Sequence, residues 1–259
     1  MTASTATEPL LEVRGLSKSY GGVKAVQDIS FSVGPGEVVA LVGPNGAGKT
    51  TLIDIVFGTQ RADAGEVRLR GRPLTGSSER RARQGLARTF QHPQVALELT
   101  ALENIVPGLF GNRIGSFRSA WAWAWRGLSS APESAITIAA EVAARYGIDD
   151  VTVPCGDVSL GTRRLVEVAR AMASEPAVLL LDEPFASGDP ESIEAIAGAV
   201  RTIQEAGNGV VLVDHNVDLV RELATSVVLL NFGEVAFAGT PEACMSSPAM
   251  REVYFGEEA

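Results

Sequence analysis

The sequence has few cysteines and little positive charge. Its two cysteines, Cys155 and Cys244, lack the spacing of a metal-binding cluster, so we expect free thiols in a reducing compartment. Lys and Arg number 22 against 31 Asp and Glu, which gives a formal net charge of −9. Nonspecific binding to nucleic acid requires a basic surface that releases counterions from phosphates. Nucleic acid is therefore not expected among the partners.

The sequence also lacks a long apolar run. No stretch reaches the roughly 18 apolar residues that cross a bilayer. The polar start, Met1 to Pro9, has no charged and then apolar signal pattern. With 259 residues, 46% of them hydrophobic, the chain suffices for one large or two modest domains. We therefore expect a soluble, intracellular globular protein.

A phosphate-binding loop lies between a predicted strand and a predicted helix. It follows the apolar run 38–42, and a helical pattern begins at Thr51. The loop reads Gly43, Pro44, Asn45, Gly46, Ala47, Gly48, Lys49, Thr50. Its glycines let backbone N–H groups face phosphate oxygens, Lys49 neutralises phosphate charge, and the Thr50 hydroxyl can bind magnesium. This spacing and context favour a nucleoside triphosphate site over an ordinary glycine turn.

Two carboxylates follow a second apolar run, residues 178–181. Asp182 is predicted to hold a magnesium ion, and Glu183 to act as the general base for an attacking water. The alternative is that the two acids cap the next helix, but the phosphate loop requires a metal-binding acid. His215 follows a third apolar run, residues 210–213. Taken alone, it favours a structural role over a phosphate contact.

The pattern along the chain predicts an α/β protein. Short β-like segments at 10–14, 28–33 and 66–70 are separated by glycine turns. Apolar runs predict parallel strands buried on both faces. These runs are residues 38–42, 177–181, 209–213 and 227–230. Between them, residues 100–173 predict a mainly helical insertion, with an alanine-rich helix at 135–144.

Two local clusters leave alternatives open. Trp121, Trp123 and Trp125 are all the tryptophans of the chain. Core packing or a half-buried extended segment is favoured for them over a partner or membrane-surface contact. The second cluster is basic, and without interleaved aromatic residues it favours a solvated helix face. Its members are Arg80, Arg81, Arg83 and Arg88.

Taken together, the motifs resemble those of the nucleotide-binding subunits of ABC transporters, over nearly the whole chain. The resemblance implies an α/β P-loop NTPase fold with an antiparallel β subdomain, a RecA-like parallel-sheet core and an inserted helical subdomain. It implies one ATPase domain over residues 8–255. The β subdomain and catalytic core would comprise 8–91 and 174–255, and the helical signature subdomain 92–173. ATP and Mg²⁺ would be the cofactors.

The resemblance also implies roles for single residues. Tyr20 would stack on adenine, Gln91 would contact magnesium and the attacking water, and His215 would contact the γ-phosphate. The implied catalytic residues are Glu183, His215 and Gln91, and the implied magnesium ligands are Thr50, Gln91 and Asp182. The implied nucleotide-binding residues are Tyr20, the loop residues Gly43, Pro44, Asn45, Gly46, Ala47, Gly48, Lys49 and Thr50, then Thr51, Ser159, Gly161 and Asp189.

Two motifs depart from the family pattern. The family signature usually reads Leu-Ser-Gly-Gly-Gln. The signature segment 158–164 retains Ser159 and Gly161 but departs from this pattern at Val158, Leu160 and Thr162. Thr162 is too short to reproduce the contact of the usual glutamine. In the D-loop segment 186–189, Gly188 stands where leucine is common, whereas Asp189 is retained. We expect Gly188 to remove a packing contact, add backbone freedom and loosen the coupling between two ATP sites.

Several segments indicate which ABC ATPases the chain resembles. Similarity to the ATPases of branched-chain amino acid importers lies in residues 85–91, 99–104, 239–242 and 254–257. Residues 182–186 and 214–217 also resemble the ATPase of lipopolysaccharide export. The importer is favoured because residues 88–91 lie where the family senses its permease. A soluble ABC ATPase of the iron–sulfur assembly type stays open by analogy of fold.

The resemblance implies partners as well. In this family the signature of one subunit faces the phosphate loop of another, so we expect a dimer with an identical copy or a second ATPase. Transmembrane permease subunits would hold this dimer at the cytoplasmic face of the membrane. An extracytoplasmic solute-binding protein would act through the permease.

Overall fold

The computed structural model describes residues 8–110, 133–186 and 188–255. The tryptophan cluster, Trp121, Trp123 and Trp125, lies outside these described residues, as does Ser187 of the D-loop segment. The prediction of core packing for the tryptophans therefore stays a prediction.

An antiparallel sheet forms the first layer. Its strands, in the spatial order β2-β1-β4-β5, are β1 (Leu11–Tyr20), β2 (Val23–Val33), β4 (Ala64–Leu69) and β5 (Arg72–Pro73). β1 and β2 are longer than the predicted segments 10–14 and 28–33. Their pairing shifts register three times between Val13 and Ser19. Each shift breaks the alternation of inward and outward side chains, so the sequence pattern shows only part of each strand.

A mostly parallel sheet forms the second layer. Its order is β10-β9-β3-β8-β7-β6. The strands are β3 (Val38–Val42), β6 (Leu86–Arg88), β7 (Val178–Asp182), β8 (Gly209–Val213), β9 (Ser226–Asn231) and β10 (Glu234–Gly239). Every residue of β3, β7 and β8 is buried. The predicted parallel strands with two buried faces are thereby confirmed, whereas the antiparallel edge strand β10 was not predicted.

Nine helices are present in the described part of the chain. They are α1 (Lys49–Phe57), α2 (Ser78–Arg83), α3 (Ala101–Leu109), α4 (Glu133–Arg145), α5 (Leu160–Met172), α6 (Pro190–Glu205), α7 (Val217–Leu223), α8 (Pro241–Met245) and α9 (Pro248–Phe255). α3 packs against both α4 and α5, which confirms the helical insertion for its described residues. Among these nine helices, none has the length and apolar character of a membrane span.

The hydrophobic core divides at the parallel sheet. On one face, Val178 and Leu180 pack with α1 and with the antiparallel sheet. On the other face, Leu179 and Leu181 pack with α3, α5 and α6. Because successive strand residues point to opposite faces, one apolar run serves both halves of the core. The sheet thus carries α1 on one side and the signature helix α5 on the other.

The basic cluster does not form one solvated face. Arg80 and Arg83 are exposed on α2, as predicted. Arg81, however, donates from Nη1 to the carbonyl oxygens of Ile55 and Val56, each at 2.7 Å. Arg88 lies on β6 with a side chain only 4% exposed. The solvated-face prediction is therefore wrong for Arg88, because buried carboxylates supply the partners that water would otherwise provide.

Candidate functional site

The predicted site residues lie at the carboxyl ends of neighbouring parallel strands. Leu41 of β3 and Asp182 of β7 both pair with Val213 of β8. The phosphate loop therefore begins beside the end of β7, and His215, which is exposed, follows β8 nearby. Ligands of open α/β sheets bind outside the carboxyl ends of the strands.

The phosphate loop has a shape that only glycine permits at two positions. Gly43 and Gly48 have φ angles of 145° and 100°. A Cβ at Gly43 would lie 2.2 Å from the carbonyl oxygen of Leu230, and one at Gly48 would lie 2.2 Å from that of Ala25. In the described structure no side chain caps the amino end of α1. The N–H groups of that end therefore suit an anion such as phosphate.

Lys49 is held inside the loop. Its side chain is buried, and Nζ donates to the carbonyl oxygens of Gly43 at 2.6 Å and Pro44 at 3.0 Å. Burial lowers the pKa of Lys49, and the carboxylates of Glu183 and Asp182 oppose that shift. The carbonyl oxygens of the loop thus hold the ammonium group in place.

Asp182 is paired with a buried arginine that the sequence analysis did not identify as part of the site. Arg88 Nη2 donates to Asp182 Oδ2 at 2.8 Å, and Nη1 donates to Asp54 Oδ1 at 2.5 Å. The guanidinium carbon lies 5.9 Å from the ring centre of Phe57 and 5.1 Å from that of Phe90. The sequence did contain a signal for this pair, because Arg88 stands within the short, mostly apolar segment 86–90. A charged residue in such a segment is buried with it and requires a partner of opposite charge.

Glu183 and Gln91 are brought together, although they stand far apart in the sequence. Gln91 Nε2 donates to Glu183 Oε2 at 3.0 Å. The Glu183 backbone has a φ of 48° and donates its N–H to the Val213 carbonyl at 2.8 Å. A left-handed backbone at a non-glycine residue costs about 1–3 kcal/mol and is typical of functional sites.

Side chains of the signature helix α5 hydrogen-bond to the backbone of the segment that carries Gln91. Arg164 donates to the carbonyl oxygens of Phe90, at 2.8 Å, and Gln91. Glu167 accepts from the N–H groups of Gln94, at 3.1 Å, and Phe90, at 3.4 Å. Burial raises the pKa of Glu167. Neither charged residue was predicted as part of the site, because the sequence pattern of α5 shows its apolar positions and not the distant partners of its charged ones.

Of the signature residues, Ser159 and Leu160 are exposed, whereas Gly161 is buried. Ser159 is the N-cap of α5, and its Oγ accepts from the N–H of Thr162 at 3.0 Å. Leu160 is 43% exposed. At Gly161, a Cβ would lie 2.1 Å from Ser192 Oγ, so the close approach of α5 to α6 requires glycine.

The D-loop aspartate has a parallel capping role. Asp189 accepts from the N–H of Ser192 at 2.9 Å and from its hydroxyl at 2.7 Å, and these bonds lower the pKa of Asp189. At Gly188, a Cβ would lie 2.3 Å from Ile193 Cγ1. The prediction that Gly188 removes a packing contact is therefore corrected, because the Ile193 side chain occupies the space that a side chain at position 188 would fill.

Tyr20 lies at the other end of the site. Tyr20 is 45% exposed, and an exposed aromatic side chain can stack on an aromatic base. Its hydroxyl donates to Gln60 Oε1, and Lys18 Nζ lies 5.3 Å from the ring centre. The structure therefore places the predicted base-stacking residue in an open position.

Comparison with known families shows the family to which the chain belongs. The model of the ABC transporter family matches residues 26–186, more than half of the chain. The chain belongs to the ABC transporter family. This match includes the phosphate loop, the signature segment and the two acids at the end of β7. The protein is an ABC transporter ATPase subunit, with ATP and Mg²⁺ as its cofactors.

Three curated relatives align with nearly the whole chain. A probable ABC transporter ATP-binding protein of Azorhizobium caulinodans is 38% identical over 97% of this chain and 84% of its own length. The high-affinity branched-chain amino acid transport ATP-binding protein LivG of Escherichia coli K12 is 31% identical over 97% of this chain and 99% of its own length. The lipopolysaccharide export system ATP-binding protein LptB of Acidithiobacillus ferridurans is 34% identical over 96% of this chain and 98% of its own length.

A solved structure agrees with the fold. The ADP conformation of MJ1267, an ATP-binding cassette of an ABC transporter, is 27% identical, with a TM-score of 0.85. The alignment covers 97% of this chain and all of that chain. The predicted ABC ATPase fold is thereby confirmed.

Proposed function

We propose that the protein is the ATP-hydrolysing subunit of a branched-chain amino acid type importer, and that closure of an ATPase dimer around ATP powers transport. The observation that carries its catalytic part is the pairing of Gln91 with Glu183 beside Asp182 and Lys49. LivG, which is 31% identical over 99% of its own length, supports the importer assignment, together with the importer-like segments 85–91, 99–104, 239–242 and 254–257.

Each residue of this site has a proposed task. Lys49 and the loop residues 43–50, with Thr51, bind the phosphates, and Tyr20 stacks on the adenine. Thr50 and Asp182 hold Mg²⁺, which neutralises charge that develops on the phosphates. Glu183 takes a proton from the attacking water while Gln91 orients it.

The carboxyl end of β8 adds one further contact. His215 is exposed there and is proposed to donate to the γ-phosphate. Gln91, which also approaches Mg²⁺ in this proposal, stands at the boundary between the core and the helical subdomain. We assign 8–91 and 174–255 to the β subdomain and core, and 92–173 to the helical subdomain, within one domain over 8–255.

The signature half is proposed to serve a second ATP site. The exposed Ser159, the α5 backbone at Gly161, and Asp189 would face the phosphate loop of a partner ATPase. That partner is an identical copy or a second ATPase. Permease subunits would hold the pair at the cytoplasmic face of the membrane, and a solute-binding protein would act through them.

A lipopolysaccharide-type exporter is the second candidate. It is supported by LptB, which is 34% identical over 98% of its own length. The relatives named above are transport or export ATP-binding proteins. A soluble ABC ATPase of the iron–sulfur assembly type is the third candidate, by analogy of fold.

The test is affinity purification of the tagged chain from detergent-solubilised membranes, with identification of the co-purified proteins. Two permease proteins with a second ATPase would support the importer. A partner set with lipopolysaccharide-binding components would overturn the importer and support the exporter. The absence of any membrane partner would contradict both transporter assignments.

A further inference from the structure

A network of hydrogen bonds connects the two ends of the site. We call it the Tyr20–Asp182 network; its members are Tyr20, Gln60, Asp54, Arg88 and Asp182. Tyr20 donates to Gln60, and Gln60 Nε2 donates to Asp54 Oδ2 at 3.0 Å. Arg88 then joins Asp54 Oδ1, at 2.5 Å, to Asp182 Oδ2, at 2.8 Å. One continuous path thus leads from the exposed tyrosine to the acid at the end of β7.

The middle of this network is buried. The side chains of Arg88, Asp182 and Asp54 are 4%, 6% and 20% exposed. In such a low-dielectric environment, charge-assisted hydrogen bonds are strong, and the loss of one partner leaves an uncompensated charge. The guanidinium therefore holds both carboxylates in fixed positions.

The backbone around Arg88 adds to this rigidity. Arg88 pairs with Leu180 in the parallel sheet, and the next residue, Thr89, donates its N–H to the Leu180 carbonyl at 2.9 Å. The guanidinium also lies near the ring centres of both Phe57, at 5.9 Å, and Phe90, at 5.1 Å. The backbone of Arg88 is thus fixed, and only its side chain can follow a carboxylate. A displacement of Asp54 therefore moves the shared guanidinium and, through it, Asp182.

We propose that Arg88 is a positioning residue that couples adenine binding at Tyr20 to magnesium binding at Asp182. Stacking on Tyr20 orders its hydroxyl and, through Gln60, the Asp54 carboxylate against which Arg88 is fixed. Asp182 is then held in place for the metal. This inference rests on the proposed roles of Tyr20 and Asp182. Because coupling between two binding events is reciprocal, the metal strengthens base binding by the same factor.

The test measures how much Mg²⁺ strengthens the binding of two probes to the full chain. ADP carries the base, whereas pyrophosphate does not, and each Kd is measured by calorimetry with Mg²⁺ and with EDTA. In Gln60→Ala we expect the Mg²⁺ enhancement to fall about fivefold for ADP, in the range typical of coupled sites, and to stay unchanged for pyrophosphate. In Arg88→Gln we expect it to fall for both probes.

Arg81→Gln is the matched control. Arg81 also donates to α1, but its partners are the carbonyl oxygens of Ile55, Val56 and Gly76, which do not belong to the network. It should leave both enhancements unchanged even if the protein becomes less stable.

Two outcomes are decisive. An ADP enhancement in Gln60→Ala equal to that of the wild type would overturn the coupling, even if Arg88→Gln failed to fold. Any loss of ADP affinity would then be equal with and without Mg²⁺, and Gln60 would support only Tyr20. If the wild type bound neither probe, the proposed function itself would fail.

Discussion

The site has a phosphate half, formed by the loop 43–50 and the two acids at the end of β7, and a signature half, formed by residues 158–164 and 186–189. The two halves differ in where their polar groups find partners. Lys49 and Asp182 are buried and bonded to other parts of the same chain. Ser159 and Asp189 are exposed, and their side chains only cap the helices that they begin. The first half is therefore organised within one chain, whereas the second presents its groups outward, as expected for a surface that another ATPase completes. The experiments below test this difference.

Loss of the general base should have the largest effect. Glu183→Gln retains the shape of the side chain and a partner for Gln91, so ATP should still bind. Hydrolysis should fall about 100-fold or more, because the amide cannot accept a proton from water. Phosphate release and nucleotide affinity are measured on the same preparation. Normal turnover would contradict the role of Glu183.

Loss of the loop lysine should act on binding itself. Lys49→Ala removes a positioned charge, and hydrogen bonds to charged groups contribute about 1.5–3 kcal/mol. We expect nucleotide affinity to fall about tenfold or more, measured by titration with a fluorescent ADP analogue. An unchanged affinity would argue against the assignment of residues 43–50, and with it against a preorganised phosphate half.

A smaller effect is expected from the carboxyl-terminal helix α9. The Gly43 N–H donates to Tyr254 Oη at 3.2 Å, and burial raises the pKa of Tyr254. Tyr254→Phe leaves this loop amide without its acceptor, so nucleotide affinity should fall about two- to tenfold. Tyr146→Phe, at a buried tyrosine of the helical insertion, is the control. If both variants bind as the wild type does, α9 does not support the loop.

The two halves also differ in how far the sequence predicted them. The phosphate loop and the strand before Asp182 have local patterns, and their predicted bounds agree closely with β3 and β7. Arg88 and Glu167 were missed because their partners are distant in sequence, and a local pattern cannot show which buried charges will meet. The exposed signature residues, by contrast, were found only through the family resemblance.

The smallest expected effect concerns coupling between two ATP sites, where Gly188 faces Ile193. Gly188→Leu alone would overpack this place, which typically costs about 1–3 kcal/mol of stability. The double variant Gly188→Leu with Ile193→Ala moves the apolar group from α6 to the D-loop and restricts the loop backbone. We expect its ATP affinity to match the wild type and the Hill coefficient of its ATP hydrolysis to rise. An unchanged Hill coefficient would show that glycine at this position does not loosen the signature half.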